Sequence, residues 1–186
     1  MDVSSTELPG VRLLEPDVYE DNRGAFMEVW NARDYGHRGI EVSFVQDNLS
    51  RSREGVLRGL HFQNPRPQAK LISVLKGAVY DVVVDVRHDS ETFGQWEGRT
   101  LSAENVHQLY VPEGYAHGFV VTRGEALFQY KCTDFYHPEA DRTVRWDDPQ
   151  LGIDWPVEDP ILSDKDAEAP RLGEMSREAL TFDDVR

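Results

Sequence analysis

Between Val56 and Lys70 the chain reads V-L-R-G-L-H-F-Q-N-P-R-P-Q-A-K, which sets Arg58, His61 and Lys70 into an otherwise apolar strand pattern. An imidazole titrates near neutrality unaided, so it can take up or return a proton. A guanidinium fork grips phosphate oxygens, and an ammonium steadies a nearby negative charge. Together these types suit proton transfer on an anionic substrate. From Arg51 to Lys76 the charged residues are Arg51, Arg53, Arg58, Arg66, Lys70 and Lys76 against Glu54 alone, although the 186-residue chain has 34 Asp and Glu, 20 Lys and Arg and a formal net charge of −14. A positive island in an acidic protein fits a compact polyanionic ligand. It argues against a general nucleic-acid or anionic-membrane binder, which needs a broad basic surface.

Of the other histidines, His37, His88, His107 and His137 lie in polar, turn-like stretches and read as surface residues. His117 differs, because it ends V-P-E-G-Y-A-H, where a Pro-x-Gly turn delivers a histidine to the start of a strand. A lone strand histidine is usually structural; His61 and His117 beside the basic island point to a site. The single cysteine, Cys132, excludes an intramolecular disulfide framework and a cysteine zinc cluster, and reads as a small buried side chain.

Strands must hold these groups. The run K-L-I-S-V-L-K-G-A-V-Y-D-V-V-V-D-V-R from Lys70 predicts two strands joined by a hairpin turn at Lys76-Gly77. In the second of them Asp81, Val83 and Asp85 share one face and Tyr80, Val82, Val84 and Val86 the other, and one of those faces must be core. Further short strands are predicted over Gln108–Val111, Gly118–Thr122 and Ala126–Cys132, a spacing that points to a sandwich or barrel. Short helices are predicted over Asn31–Tyr35, Ser163–Ala169 and Ser176–Leu180. Asp159 to Arg186, rich in Pro, Asp and Glu, has the composition of a solvated tail. The length suits one domain. With no charged-then-apolar leader and no apolar run of about 20 residues, the expectation is a cytoplasmic protein without membrane association.

Pro112 to His117, P-x-G-x-x-H, resembles the second motif of the cupin superfamily. Many cupins bind a metal through a His-x-His pair in their first motif; here the matching place reads His61-Phe62-Gln63, so no metal and no other cofactor are expected. The runs F-V-Q-D-N (Phe44 to Asn48), V-L-R-G-L-H-F-Q (Val56 to Gln63), T-F-G-Q-W (Thr92 to Trp96), L-S-A-E-N (Leu101 to Asn105), V-P-E-G-Y-A-H-G-F and L-S-D-K-D (Leu162 to Asp166) resemble, in order, the dTDP-4-dehydrorhamnose 3,5-epimerase family. The resemblance implies an all-β, cupin-type jelly-roll sandwich with short peripheral helices. It implies one domain over residues 1–186, N-terminal strands that contribute to a homodimer, and a peripheral tail from about residue 173 to 186.

It also implies an isomerase acting on a dTDP-linked 4-keto-6-deoxy sugar. The C4 ketone acidifies the protons on C3 and C5, so a base can remove one and an acid can return it from the opposite face. By resemblance His61 is the base, Asp166 its partner, Tyr130 the acid and Lys70 the cation that stabilises the enolate oxygen. Arg23, Glu28, Gln46, Asp47, Asn48, Arg58, His117 and Lys165 match binding positions, and Tyr136 an aromatic that stacks on thymine. Asp141 stands near Trp146 where the family often has a glutamate. Because the base sits on a strand and Asp166 follows far along the chain, the first half of the tail should fold back over the barrel. Arg58 and His61 have opposite strand parity, and a bulge at Gly59 would let both reach one pocket. A C3-only or C5-only epimerase, a sugar 3,4-ketoisomerase and a non-catalytic sugar-nucleotide binder are the alternatives.

Overall fold

The computed structural model describes residues 1–182. Nine strands form one continuous hydrogen-bonded system: β1 (Asp2–Ser5), β2 (Arg12–Glu15), β5 (Gln46–Arg53), β6 (Leu57–Gln63), β7 (Lys70–Asp85), β8 (Trp96–Ser102), β9 (Gln108–Val111), β10 (Tyr115–Cys132) and β11 (Asp141–Thr143). Among the described residues the strands β3 (Val18–Asp21) and β4 (Gly24–Met27) pair only with each other.

The fold turns on β7 and β10, which run antiparallel along nearly their whole length. The first half of β7 pairs with β9 and its second half with β8, while β10 pairs with β6 early and with β5 late. Both strands therefore cross from one layer of a jelly roll to the other. The hairpin predicted at Lys76-Gly77 is a bend inside one strand, and the strands predicted over Gly118–Thr122 and Ala126–Cys132 are parts of one. Gly77 has φ +77°, and a Cβ there would stand 2.5 Å from the Glu125 carbonyl oxygen. A glycine flanked by β-branched runs thus marks a sheet corner as well as a tight turn, because both demand a conformation other residues resist. The register of β7 against β10 shifts at this corner, between Val121 and Phe128.

Between the layers, Ile72, Val74, Val79, Val83, Phe119, Val121 and Phe128 form the barrel core. One face of the second half of β7 had to be core, and both are buried. Val82, Val84, Leu57, Leu60, Phe62 and Val120 pack outward against Leu151, Trp155, Leu172 and Leu180 from the C-terminal segment. That segment is no solvated tail as far as Phe182. Leu172 and Leu180 are buried, each a contribution of about 1.5–3 kcal/mol. Asn64 Nδ2 donates to the carbonyls of Glu178, Ala179 and Thr181. Residues 183–186, the end of the predicted peripheral tail, lie outside the described residues.

The helices are short. Helix α1 (Ala32–Gly36) starts where Asn31 caps the amides of Arg33 and Asp34, and α2 (Asp164–Ala167) where Ser163 caps Asp166. Single turns of 3₁₀ helix cover Leu172–Glu174 and Glu178–Leu180. Among the described residues no helix is long and apolar enough to cross a membrane.

Candidate active site

Strands β6 and β10 set the site. His61 and His117 are direct cross-strand partners, and the next pair is Arg58 with Phe119. The pairing advances three residues along β6 for two along β10, so β6 carries an extra residue, the bulge that brings Arg58 and His61 to one side. Gly59 has φ +122°, and a Cβ on it would lie 2.6 Å from Cα of Gly118 and 2.8 Å from the His117 carbonyl oxygen. Only glycine permits that approach. Arg58 Nε donates to Ser52 Oγ at 3.0 Å, which ties the guanidinium to the less exposed edge of β5.

Asp166 reaches His61 across 105 residues of sequence, with Oδ1 2.6 Å from Nε2. The path back is anchored by β-type hydrogen bonds of Ile161 to Gly55 and Leu57. At the start of α2 the Ser163 hydroxyl donates to Asp166 Oδ2 at 2.9 Å and accepts from the Asp166 amide. Burial works to raise the Asp166 carboxyl, but the bonds from His61 and Ser163 and the charges of His61 and Lys165 prevail and hold it below the usual carboxylate range. An ionised Asp166 accepts a hydrogen bond from the Nε2–H of His61, which leaves Nδ1 as the ring's basic atom. His61 keeps its side chain 33 % exposed while Asp166 is closed off, so the base faces open space and its partner does not.

Lys70 stands directly across from Cys132 on β10. Its Nζ is 3.4 Å from the His61 carbonyl oxygen and 5.9 Å from the Tyr130 ring centroid. Burial lowers its pKa, opposed chiefly by Cys132, Asp141 and Asp81. Tyr130 faces Asn48 across β5, and burial above all pushes its phenol up to about 12. It therefore stays protonated, as an acid must. The groups matched to base, partner, acid and enolate cation thus line one interior.

The binding candidates divide. Gln46 and Asn48 lie on the less exposed edge of β5 and are bonded to each other, and Gln46 Oε1 also accepts from the Tyr136 amide. Asp47 points to the opposite face, where it accepts from Lys131 Nζ, so its side chain is turned away from Gln46 and Asn48. Asp141, shorter by one carbon than glutamate, still accepts from both Lys165 Nζ and the Tyr136 hydroxyl. Among the described residues Arg23 and Glu28 bond to neither His61 nor Asp166. Arg23 pairs with Asp21 in the turn between β3 and β4, and Glu28 accepts from Asn31.

Three residues with structural claims on the site were not singled out from sequence: Asp81, bonded to His117, Ser163 and Ser52. Asp81 carries a readable signal as the lone charge inside Val79–Val84. Ser163 carries another in S-x-x-D ahead of a helix. Among the described residues no group of three or more His, Cys, Asp and Glu is placed to hold a metal ion.

Residues 5–174 match the family model described as dTDP-4-dehydrorhamnose 3,5-epimerase. The chain belongs to that family. It is 52 % identical over 164 residues to the dTDP-4-dehydrorhamnose 3,5-epimerase of Methanothermobacter thermautotrophicus, covering 87 % of this chain and 89 % of that one. Among solved structures it resembles the dTDP-6-deoxy-D-glucose-3,5-epimerase of Legionella pneumophila in complex with dTDP-4-keto-L-rhamnose, with TM-score 0.95, 48 % identity and 99 % of both chains covered. A 3'-monoepimerase from Streptomyces bikiniensis in complex with dTDP-quinovose aligns at TM-score 0.89 and 35 % identity, over 95 % of this chain and 91 % of that one. The epimerase fold is therefore a cupin-type jelly roll here, and the fold alone does not separate two-centre from one-centre members of the family.

Proposed function

We propose that this chain epimerises dTDP-4-dehydro-6-deoxy-D-glucose at C3 and C5, giving dTDP-4-dehydro-L-rhamnose, as a homodimer, without metal or other cofactor. The observation that carries this reading is the His61–Asp166 pair, with one carboxylate oxygen 2.6 Å from Nε2, in the same interior as Lys70 and Tyr130. Nδ1 of neutral His61 removes the proton next to the C4 ketone, and Asp166 stabilises the imidazolium that results. Negative charge moves to the C4 oxygen, where the Lys70 ammonium opposes it. Tyr130 donates a proton to the other face of the enolate, which inverts the centre. Arg58 serves the diphosphate, Tyr136 the thymine, and Gln46, Asn48, His117, Asp141 and Lys165 the remaining substrate contacts.

A second copy completes the site. Among the described residues the pair β3–β4 has no partner strand, and its turn holds Arg23. Tyr19 and Phe26 face each other across it at 63 % and 71 % exposure. Seating this hairpin on a partner covers those rings and brings Arg23 and Glu28 to the partner's substrate.

A one-centre epimerase is the second reading, favoured by the likeness to the monoepimerase. Incubation with the 4-keto-6-deoxyglucose nucleotide in deuterated water separates the readings by NMR. Deuterium at C3 and C5 with inversion at both supports the first, and label at one centre the second. No label at either overturns both, and loss of turnover on thorough chelation, restored by one added divalent ion, overturns the cofactor-free mechanism.

A further inference from the structure

Asp81 is wholly buried on the interior face of β7 between Val79 and Val83. Its Oδ2 lies 2.8 Å from His117 Nε2, while Oδ1 is buried with no hydrogen-bond partner. An ionised carboxylate with a bare oxygen in an apolar interior is costly unless a cation faces it.

The ionisable groups acting on Lys70 are Cys132 from β10, Asp141 from β11, Asp81 from its own strand and Lys165 from α2. Those acting on His117 are Asp81, Lys70 and His61. Burial raises the Asp81 carboxyl, and the bond and charge of His117 and the charge of Lys70 oppose that rise; Asp81 is the one carboxylate common to both sets. Of the other negative candidates at Lys70, Asp141 is already bonded by Lys165 and Tyr136, and burial raises the Cys132 thiol and keeps it neutral. Burial lowers His117, opposed by Asp81, which favours a neutral ring. Phe128 lies along that ring at 5.9 Å and 19°. With Nε2 committed to Asp81, the remaining ring nitrogen, Nδ1, has no partner among the described residues and is not closed off.

We propose that Asp81 is a positioning residue for the reaction proposed above: it holds neutral His117 by Nε2, leaving Nδ1 to accept from a sugar hydroxyl, and it is the buried counter-ion that keeps Lys70 protonated beside the enolate. The arrangement gives the barrel two carboxylate–histidine pairs with different tasks. Asp166 serves a base that must change its charge, whereas Asp81 serves a ring that must not.

Two measurements test this. In wild-type protein with ¹⁵N-labelled histidine, His117 is assigned by its loss in His117→Gln. Its ring is expected to be neutral, with the proton on Nε2 and Nδ1 bare, across about pH 6–8. A proton on Nδ1 with Nε2 bare overturns the proposal, and this measurement stands whether or not a variant folds. Asp81→Asn, with its fold checked by dTDP binding, removes the counter-ion, so Lys70 gives up its proton more readily and the alkaline limb of the kcat profile moves to lower pH. Above the new limb the loss approaches the roughly 10²–10³-fold of a missing oxyanion donor, with a smaller loss in acid. An unchanged profile and kcat overturn the proposal. Wild-type protein that exchanges neither C3 nor C5 defeats the reading of the reaction instead, and leaves the His117 tautomer to be judged by NMR.

Discussion

A proton leaving the substrate toward His61 and one arriving from Tyr130 must cross opposite faces of the sugar ring, so the two residues fail in different ways. His61→Asn is expected to abolish deuterium uptake at C3 and C5 alike, with a loss of at least the roughly 10²–10⁴-fold usual for a general base. Tyr130→Phe still permits removal and return on the His61 side, so label enters while inverted product falls. Equal loss of exchange and inversion in Tyr130→Phe would make Tyr130 a positional residue only, and full activity in His61→Asn would remove the base assignment. Asp166 gives a stability test with a definite sign. Its folded pKa is depressed, so the stabilisation is complete above the unfolded pKa and is lost as pH falls through the folded one. Asp166→Asn should therefore cost about 2 kcal/mol near pH 7, and thermal unfolding of variant and wild type should converge in acid. A gap that stays constant down to about pH 3 would show that ionisation of Asp166 contributes nothing.

Strands β7 and β10 owe their shape to a few glycines where backbones meet. A Cβ at Gly59 would meet the backbone of Gly118 at 2.6 Å, and one at Gly77 would meet that of Glu125 at 2.5 Å. Either change to alanine adds positive-φ strain to a clash that no flexible side chain can relieve. We expect a cost of about 3 kcal/mol or more for each, roughly 6 °C or more in Tm for a chain of this size. Gly124 also has positive φ, +65°, but nothing lies within 4 Å of a Cβ there. Gly124→Ala should cost only the conformational preference, about 1–2 kcal/mol, and thermal unfolding giving Gly124→Ala the largest loss would contradict the close-approach account. Alternation predicted Gln108–Val111 to its ends and the faces of Asp81 and Val82 correctly, because it follows from strand geometry alone. It read Gly77 as a hairpin because local sequence does not distinguish a chain that reverses from one that bends into another layer.

The whole molecule, as proposed, is two copies of the chain. Sedimentation at micromolar concentration should give twice the chain mass. Phe26→Asp, which places a charge where two copies would meet, should shift the protein toward monomer and lower turnover with it. A wild-type monomer, or a fully active monomeric variant, would remove the shared site.

By itself the sequence determined the chemical inventory and its order: a basic island with His61, the turn that delivers His117, and motifs running from F-V-Q-D-N to L-S-D-K-D. These are properties of residue type and of spacing over a few positions, which strand and helix periodicity translate directly into faces. The tertiary structure alone decided which distant groups meet. Asp166 bonds His61 across 105 residues and Asp81 bonds His117 across 36, while Asp47, beside Gln46 and Asn48 in sequence, turns its side chain away. It also decided that the described part of the C-terminal segment packs on the sheet, because Leu172 and Leu180 cover an outer sheet face that the strands cannot bury themselves. Such contacts depend on how layers close and on what remains uncovered once they do, sums taken over the whole chain that no local window contains.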